Sequence, residues 1–382
     1  MKVPLAWLQL SREKMRLFVA LAGIGFADLL MFMQLGFQNA LFDSAIAIHK
    51  RFKTDLVLIS RRSEYLAAMT SFPRTRLFQA KGVEGVDSIG WLYIGPGKWK
   101  NPVNPASNRT IFIFGFNPDR PAFDLPEVNE QLDKIKLPDV FLFDQKSRAE
   151  FGPVAEKLAE NGKVSTEVND RKININGLFS LGVSFAADGN LITSDLNFLR
   201  VTKRSLDEID VGFIQLKPDA DPEVVLNQLQ KVLPEDVKVL TKQGFIDFEK
   251  KFWETSTAIG FIFSLGVGMG FIVGIVIVYQ ILYTDVADHL PEYATLKAMG
   301  YSDLYLLGVV FQEALILSFL GYMPGFGISF VLYNFARGAT GIPMAMTLNL
   351  AVTVMILTIV MCFISGAIAV RKLRSADPAD IF

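Results

Sequence analysis

A membrane α-helical fold, with four transmembrane helices in a 1+3 arrangement and one large α/β extracytoplasmic domain, is what this sequence predicts, and three observations predict it. The mean hydropathy of +0.33 over 382 residues is too apolar for an ordinary soluble chain of this size. Charge is sharply segregated, since 59 of the 77 Asp, Glu, Lys and Arg residues fall within residues 43–257. Outside that block lie four apolar runs, each longer than the ~20 residues a helix needs to cross a bilayer.

The elements follow in order. Residues 1–16 carry Lys2, Arg12, Lys14 and Arg16 against one acid, Glu13, and precede a run over 17–42 whose only charge is Asp28. A cleaved signal peptide has an apolar core of about 7 to 15 residues. The longer run here predicts a retained first span, with a cytoplasmic N-terminus by the positive-inside rule. Residues 43–257 are expected to fold outside as an α/β domain of two subdomains. Strand signals lie at 55–60, 110–116 and 140–143, and a helix signal over 147–161 is closed by Gly162. The clearest unit is a strand at 211–217, then Asp221 and Pro222 opening a helix with Val224, Val225, Leu229 and Val232 on one face, then a strand at 237–240. Gly95-Pro96-Gly97-Lys98 reads as a turn, and residues 101–108 and 123–138 read as surface loops or an inserted lobe. Residues 245–257 predict a helix running into the second span, with Phe248, Phe252 and Trp253 at the interface.

The second span covers 258–283, the third 304–333 and the fourth 348–370, with a short outer loop at 334–347 and a tail at 371–382 that begins with Arg371, Lys372 and Arg374. Basic residues at both ends put both termini in the cytoplasm. The loop 284–303 is acidic and lends the rule no support, so parity alone places it inside. Pro324, flanked by Gly321, Gly325 and Gly327, predicts a kink in the third span.

Within that inner loop, Pro291 suits a first helical turn, Glu292 the positive end of the macrodipole and Gly300 the C′ position. The piece Glu292, Tyr293, Ala294, Thr295, Leu296, Lys297, Ala298, Met299, Gly300 therefore predicts a helix of about two and a half turns. So short a helix is marginal in water by itself. It needs a surface, either its own membrane helices or another protein docked from the same side. Asp28 sits mid-span, where a carboxyl is either functional or hydrogen-bonded within the bundle near Gln34. Glu313 is a second membrane-embedded acid, read as structural. Gly266, Gly270 and Gly274 form a small-xxx-small ridge on the second span, suited to packing on the first span of its own or a second copy.

No stretch matches G-x-x-x-x-G-K-[ST], so the chain has no P-loop for ATP. With His49 and His289 its only histidines and Cys362 its only cysteine, no zinc set and no Ser-His-Asp set is signalled, and no cofactor, metal or catalytic role is expected. Near-zero net charge without a basic run argues against nucleic acid as partner.

The order of one span, a large outer domain and three spans, with Glu-Tyr-Ala-Thr-Leu-Lys-Ala-Met-Gly after the second span, resembles the MacB and FtsX superfamily of ABC transporter permeases. The match is closest to the cyanobacterial DevC type. It is carried by Gly25-Phe26-Ala27-Asp28, Met31-Phe32-Met33-Gln34-Leu35-Gly36-Phe37, Tyr279-Gln280-Ile281-Leu282-Tyr283, His289-Leu290, residues 292–301 and the terminal Ala376-Asp377-Pro378-Ala379-Asp380-Ile381-Phe382. The superfamily loop often has Gly after its Glu-aromatic pair; here Ala294 follows Tyr293, as in the DevC type. The resemblance implies an outer domain of the MacB periplasmic-core type in the inner membrane. It also implies a homodimer whose helix 292–300 couples to a separate ABC ATPase subunit (DevA-like) that binds the ATP. Tyr293, Leu296 and Met299 would form the docking edge. A periplasmic membrane-fusion protein (DevB-like), a TolC-like outer-membrane channel and a glycolipid or other envelope-lipid substrate complete the implied system. An FtsX-like mechanotransmitter acting on an extracytoplasmic enzyme, and Lol-like lipoprotein release, are the alternatives within the same superfamily.

Overall fold

The computed structural model describes residues 14–184 and 186–375; Lys2, Arg12, the side chains of the tail 371–382 and the terminal motif at 376–382 lie outside the described residues. The chain divides into two compact units, Leu41–Thr257 and a helical unit from the sequence on either side.

Helix α1 (Lys14–Lys50) runs on past the apolar stretch 17–42, and its last residues, Ile48 among them, belong to the α/β unit. The strands of that unit are β1 (Leu56–Ser60), β2 (Phe72–Pro73), β3 (Val86–Lys100), β4 (Asn108–Phe116), β5 (Val140–Asp144), β6 (Val164–Val168), β7 (Arg171–Phe179), β8 (Asn190–Ser194), β9 (Glu208–Ile209), β10 (Val211–Leu216) and β11 (Val237–Thr241). Its helices are α2 (Thr75–Lys81), α3 (Val154–Asn161), α4 (Asp195–Thr202), α5 (Pro222–Val232) and α6 (Lys242–Lys251). Nine strands form one sheet in the order β11-β1-β10-β3-β4-β8-β5-β7-β6, and β2 pairs with β9 apart from it. The end of β3 also pairs with β6, Trp99 opposite Val168 and Lys100 opposite Glu167, so one half of the sheet curls until it meets itself.

Both faces of the sheet are buried. Leu56 and Leu58 enter one core, Val57 and Ile59 the other, as a side-chain period of two requires. Burial on both faces is why β1 reads as an unbroken apolar run rather than an alternation. Asp221 caps α5 by accepting a hydrogen bond from the Glu223 amide at 2.9 Å, and Pro222 fills the first turn, where its missing N–H costs nothing.

Five expectations differ from the structure. The two subdomains are one continuous sheet. Gly95-Pro96-Gly97-Lys98 is not a turn but the middle of β3, paired with β4 from Gly95–Ile113 to Lys98–Thr110. Proline is admitted there because β10 stops at Leu92 and β6 starts only at Trp99, leaving that side of β3 without a partner strand. Residues 123–138 are not a surface loop. They form two short helical turns, Pro126–Asn129 and Leu132–Lys136, with Phe123, Leu125, Val128 and Ile135 all buried in a core. The helix over 245–257 does not run into the second span: α6 gives way to a π turn at Phe252–Ser256, and Thr257 is extended at φ −120°, ψ 156°. Likewise the helix signal at 147–161 is split by Gly152, at φ +99°, and Pro153, into a 3-10 turn and α3.

The helical unit holds α7 (Ala258–Asp288), α8 (Leu290–Ala298), α9 (Asp303–Thr340) and α10 (Leu348–Ser375) beside α1. Among the described residues, four helices are long and apolar enough to cross a membrane, at Lys14–Lys50, Ala258–Asp288, Leu307–Ala339 and Leu348–Val370. Pro324 lies inside α9, which continues on both sides of it.

Trp99 is fully buried where β3 meets β6, its indole N–H donating to the Phe151 carbonyl at 3.1 Å and its ring 5.4 Å from that of Phe143. Trp99→Ala is expected to destabilise the chain by about 3–5 kcal/mol, read as a lowered thermal unfolding midpoint in detergent. An unchanged midpoint would show that the closure of the sheet carries no stability.

Candidate functional site

The helix α8 starts and stops where its sequence says it should. His289 precedes it, its amide donating to the Asp285 carbonyl at 3.1 Å, and Pro291 sits in the first turn. At the other end Gly300 takes φ +93°, its amide donating to Lys297 O at 3.0 Å, while the Tyr301 amide reaches back to Leu296 O at 3.1 Å. Those two bonds are the Schellman pattern, which a left-handed glycine permits.

The helix is two-faced. Tyr293 and Ala294 are buried, Leu296 and Lys297 are half-buried, and Glu292, Thr295, Met299 and Gly300 are exposed, with Met299 64% open. The side chain of Ala298 lies outside the described residues. Tyr293 therefore does not stand on the outer edge with Leu296 and Met299. A spacing of i, i+3, i+6 marks one side of a helix but cannot say whether that side faces in or out, and adjacent Tyr293 and Ala294 form the buried face. Beyond Gly300, Tyr301 and Tyr305 extend the open surface, their ring centroids 4.8 Å apart.

Charged groups from three helices gather at the start of α8. Arg16 of α1 lies 3.5 Å from Asp285 Oδ1 and 2.5 Å from Asp288 Oδ2. His289 Nδ1 stands 3.0 Å from the Asp285 carbonyl oxygen and 3.7 Å from its Oδ1. Glu313 of α9 is fully buried, its carboxyl beside that of Asp285. An acid inside a membrane helix marks function by default. The sequence reading missed this cluster, although Asp285, Asp288 and His289 at i, i+3 and i+4 share one side of α7.

Asp28 lies elsewhere in the bundle. It is fully buried, the Thr358 hydroxyl of α10 stands 2.6 Å from its Oδ1, and its Oδ2 has no partner. The expected neighbour Gln34 instead lies against Gly266, where an added Cβ would stand 2.5 Å from its amide carbon. A Cβ on Gly270 would meet Leu30 and Met31 of α1 at 3.3 Å each, and one on Gly274 would meet Met361 Sδ at 2.0 Å and Ala27 Cβ at 3.0 Å. The three glycines thus face α1 of the same chain, with α10 joining at Gly274. A second close crossing joins α1 to α9, since a Cβ on Gly325 would stand 2.7 Å from Asp28 Cβ. Gly268, off the ridge, has open space around it. Gly274→Val is expected to cost about 1–3 kcal/mol by overpacking and to lower the melting temperature of the purified chain, and Gly268→Val to leave it unchanged. Equal tolerance of both would mean that the close approach is not needed.

Residues 256–378 match the family model described as FtsX-like permease C-terminal, a stretch that takes in α7, α8, α9 and α10. No curated protein matches the chain significantly. Among solved structures, the periplasmic region of MacB from Actinobacillus actinomycetemcomitans is 13% identical, over 55% of this chain and 97% of that one, with a TM-score of 0.34. The extracellular domain of the noncanonic ABC-type transporter YknZ from Gram-positive bacteria is 16% identical, over 49% of this chain and 100% of that one, with a TM-score of 0.32. A domain of a permease protein from Porphyromonas gingivalis is 13% identical, over 50% of this chain and 90% of that one, with a TM-score of 0.32.

Proposed function

We propose that the chain is the membrane-spanning permease subunit of an ATP-driven ABC exporter of the MacB/DevC type. The observation that carries this reading is the FtsX-like permease match over residues 256–378, which brackets α8 between two long apolar helices. In this reading the chain sits in the inner membrane as a homodimer, with both termini and α8 in the cytoplasm and residues 43–257 in the periplasm. Lacking a P-loop, it takes its energy from a separate ABC ATPase subunit that docks on the open face of α8. Glu292, Thr295 and Met299 form the centre of that face, with Leu296 and Lys297 at its margin. The α/β domain engages a membrane-fusion protein leading to a TolC-like channel, and the cargo is a glycolipid or another envelope lipid.

The charged cluster gives the coupling a physical route. ATP-driven movement of α8 displaces His289 and Asp285, and Arg16 passes that displacement to α1 through its bonds to Asp285 and Asp288. Glu313 keeps α9 in the same electrostatic group.

Two experiments test this. Replacing both Leu296 and Met299 by Asp, on the margin and the open face of α8, is expected to abolish copurification of the ATPase while the chain still folds in the membrane; unchanged copurification sinks the coupling role. Arg16→Ala is expected to leave the ATPase bound but to uncouple it, so that transport per ATP hydrolysed falls several-fold in reconstituted vesicles. A second reading is an FtsX-like mechanotransmitter that acts on an extracytoplasmic enzyme. Crosslinking from the α/β domain separates the two, because a captured fusion protein supports export and a captured cell-wall hydrolase supports mechanotransmission.

A further inference from the structure

A cleft of about 270 Å³ opens in the α/β unit where the segment after α1, the start of β3, β10 and the turn at 117–121 come together. Phe213, Ser88, Gln215 and the Ile89 main chain line it, together with two cations, Lys53 and Arg120. The Arg120 charge is set in place by its side chain, and Lys53 is positioned through its main chain. The Arg120 guanidinium donates to the Ile89 carbonyl at 2.7 Å, and the turn that bears it is closed by the Arg120 amide on Asn117 O at 2.9 Å. The main chain at Lys53 is held from both sides, by its own amide on Ala122 O at 2.9 Å and by Gln215 Nε2 on its carbonyl at 3.3 Å.

The one acid on the cleft, Asp119, is already engaged. Its carboxylate is 3.0 Å from Lys136 Nζ, and that hydrogen bond raises the Lys136 pKa above its ordinary value. Neither Lys53 nor Arg120 forms an ion pair among the described residues. Two cations, one of them held by a hydrogen bond, thus share a concave site whose one acid is already paired. An exposed cation gains little from scattered counterions, but two that converge on one small volume favour a multiply charged anion. The guanidinium fork matches an oxyanion bidentately, and the ammonium adds a point charge with three donors. The cleft is near the lower end of the volumes that hold small ligands, suited to a head group rather than an acyl chain.

We propose that this cleft is a binding site for a phosphate-type oxyanion, gripped by Lys53 and Arg120. The ligand is either a free phosphate or the phosphate of a lipid head group, and the inference stands independently of the exporter reading.

Isothermal titration calorimetry on the full chain, held in nanodiscs of neutral phosphatidylcholine, tests it with two probes: inorganic phosphate, and dihexanoyl phosphatidic acid below its micelle concentration. Saturable binding to one site per chain is expected, weakened at least tenfold by Lys53→Gln or Arg120→Gln and unaltered by Lys231→Gln, a surface cation that does not line the cleft. Binding of both probes identifies free phosphate as sufficient, and binding of the phosphatidic acid alone identifies the head group. No binding of either probe, or binding that survives the double variant, overturns the proposal. Lys53 is exposed and only its main chain bonds to neighbours, so Lys53→Gln reports on the site and not on folding.

Discussion

The helical unit depends on how closely its other helices can approach α1. Hydrocarbon is as apolar as leucine, so helices in a bilayer are drawn together by packing and hydrogen bonds rather than by the hydrophobic effect. Around α1 that packing is built from missing side chains. Gly266, Gly270 and Gly274 let α7 lie against Ala27, Leu30, Met31 and Gln34, and Gly25 faces Pro324 and Gly325 across the contact with α9. Polar contacts then set which residues oppose which. Thr358 meets Asp28 at 2.6 Å, and the Tyr333 hydroxyl donates to the Phe32 carbonyl, so α10 and α9 are each fixed to a stated turn of α1. Since β-carbons at Gly274 and Gly325 would clash with α10 and α1, neither contact can slide by one residue without bringing a side chain into the gap.

The α/β unit meets a different constraint, because water supplies its driving force. Its sheet buries both faces, and the two cores are separated only by the alternation of the strands. This explains why the buried Asp144 is stable although fully enclosed. Its carboxylate accepts from the amides of Lys146, Leu181 and Gly182 and from the Asn190 side chain, so every lobe of the charge is met by a donor. Asp28 is met by fewer donors, the Thr358 hydroxyl reaching its Oδ1 alone. The two units therefore use carboxylates differently: in one Asp144 ties loops together, in the other Asp28, Asp285 and Asp288 tie one helix to another.

What the sequence made legible divides along the same line. Long apolar runs, the Asp221–Pro222 helix start and the Gly300 helix stop were readable because each depends on local chemistry: length, a capping oxygen, a left-handed glycine. The turn at Gly95-Pro96-Gly97-Lys98 was misread because its strand character comes from β4, far along the chain, and from the absence of a neighbour on its other side. The helical turns at 126–136 carry Leu125, Val128, Leu132 and Ile135 at helical spacing, but proline and acidic residues between them masked it. At the site, the existence and ends of α8 were legible and its inward face was not. Adjacent Tyr293 and Ala294 are buried by tertiary packing that no local pattern encodes.

The charged cluster shows why such a joint would be held so near the membrane. Breaking a fully buried ion pair costs about 3–5 kcal/mol. Asp285 is 5% exposed, but Arg16 is 26% exposed and Asp288 51%, so water can follow the guanidinium as it leaves one acid for another. The cost of exchange is accordingly smaller than that of rupture. Arg16 reaches both Asp285 and Asp288, so its guanidinium has two carboxylates between which to exchange. A joint that must switch within an ATPase cycle needs such an exchange, because a single fixed pair would hold α8 in one position.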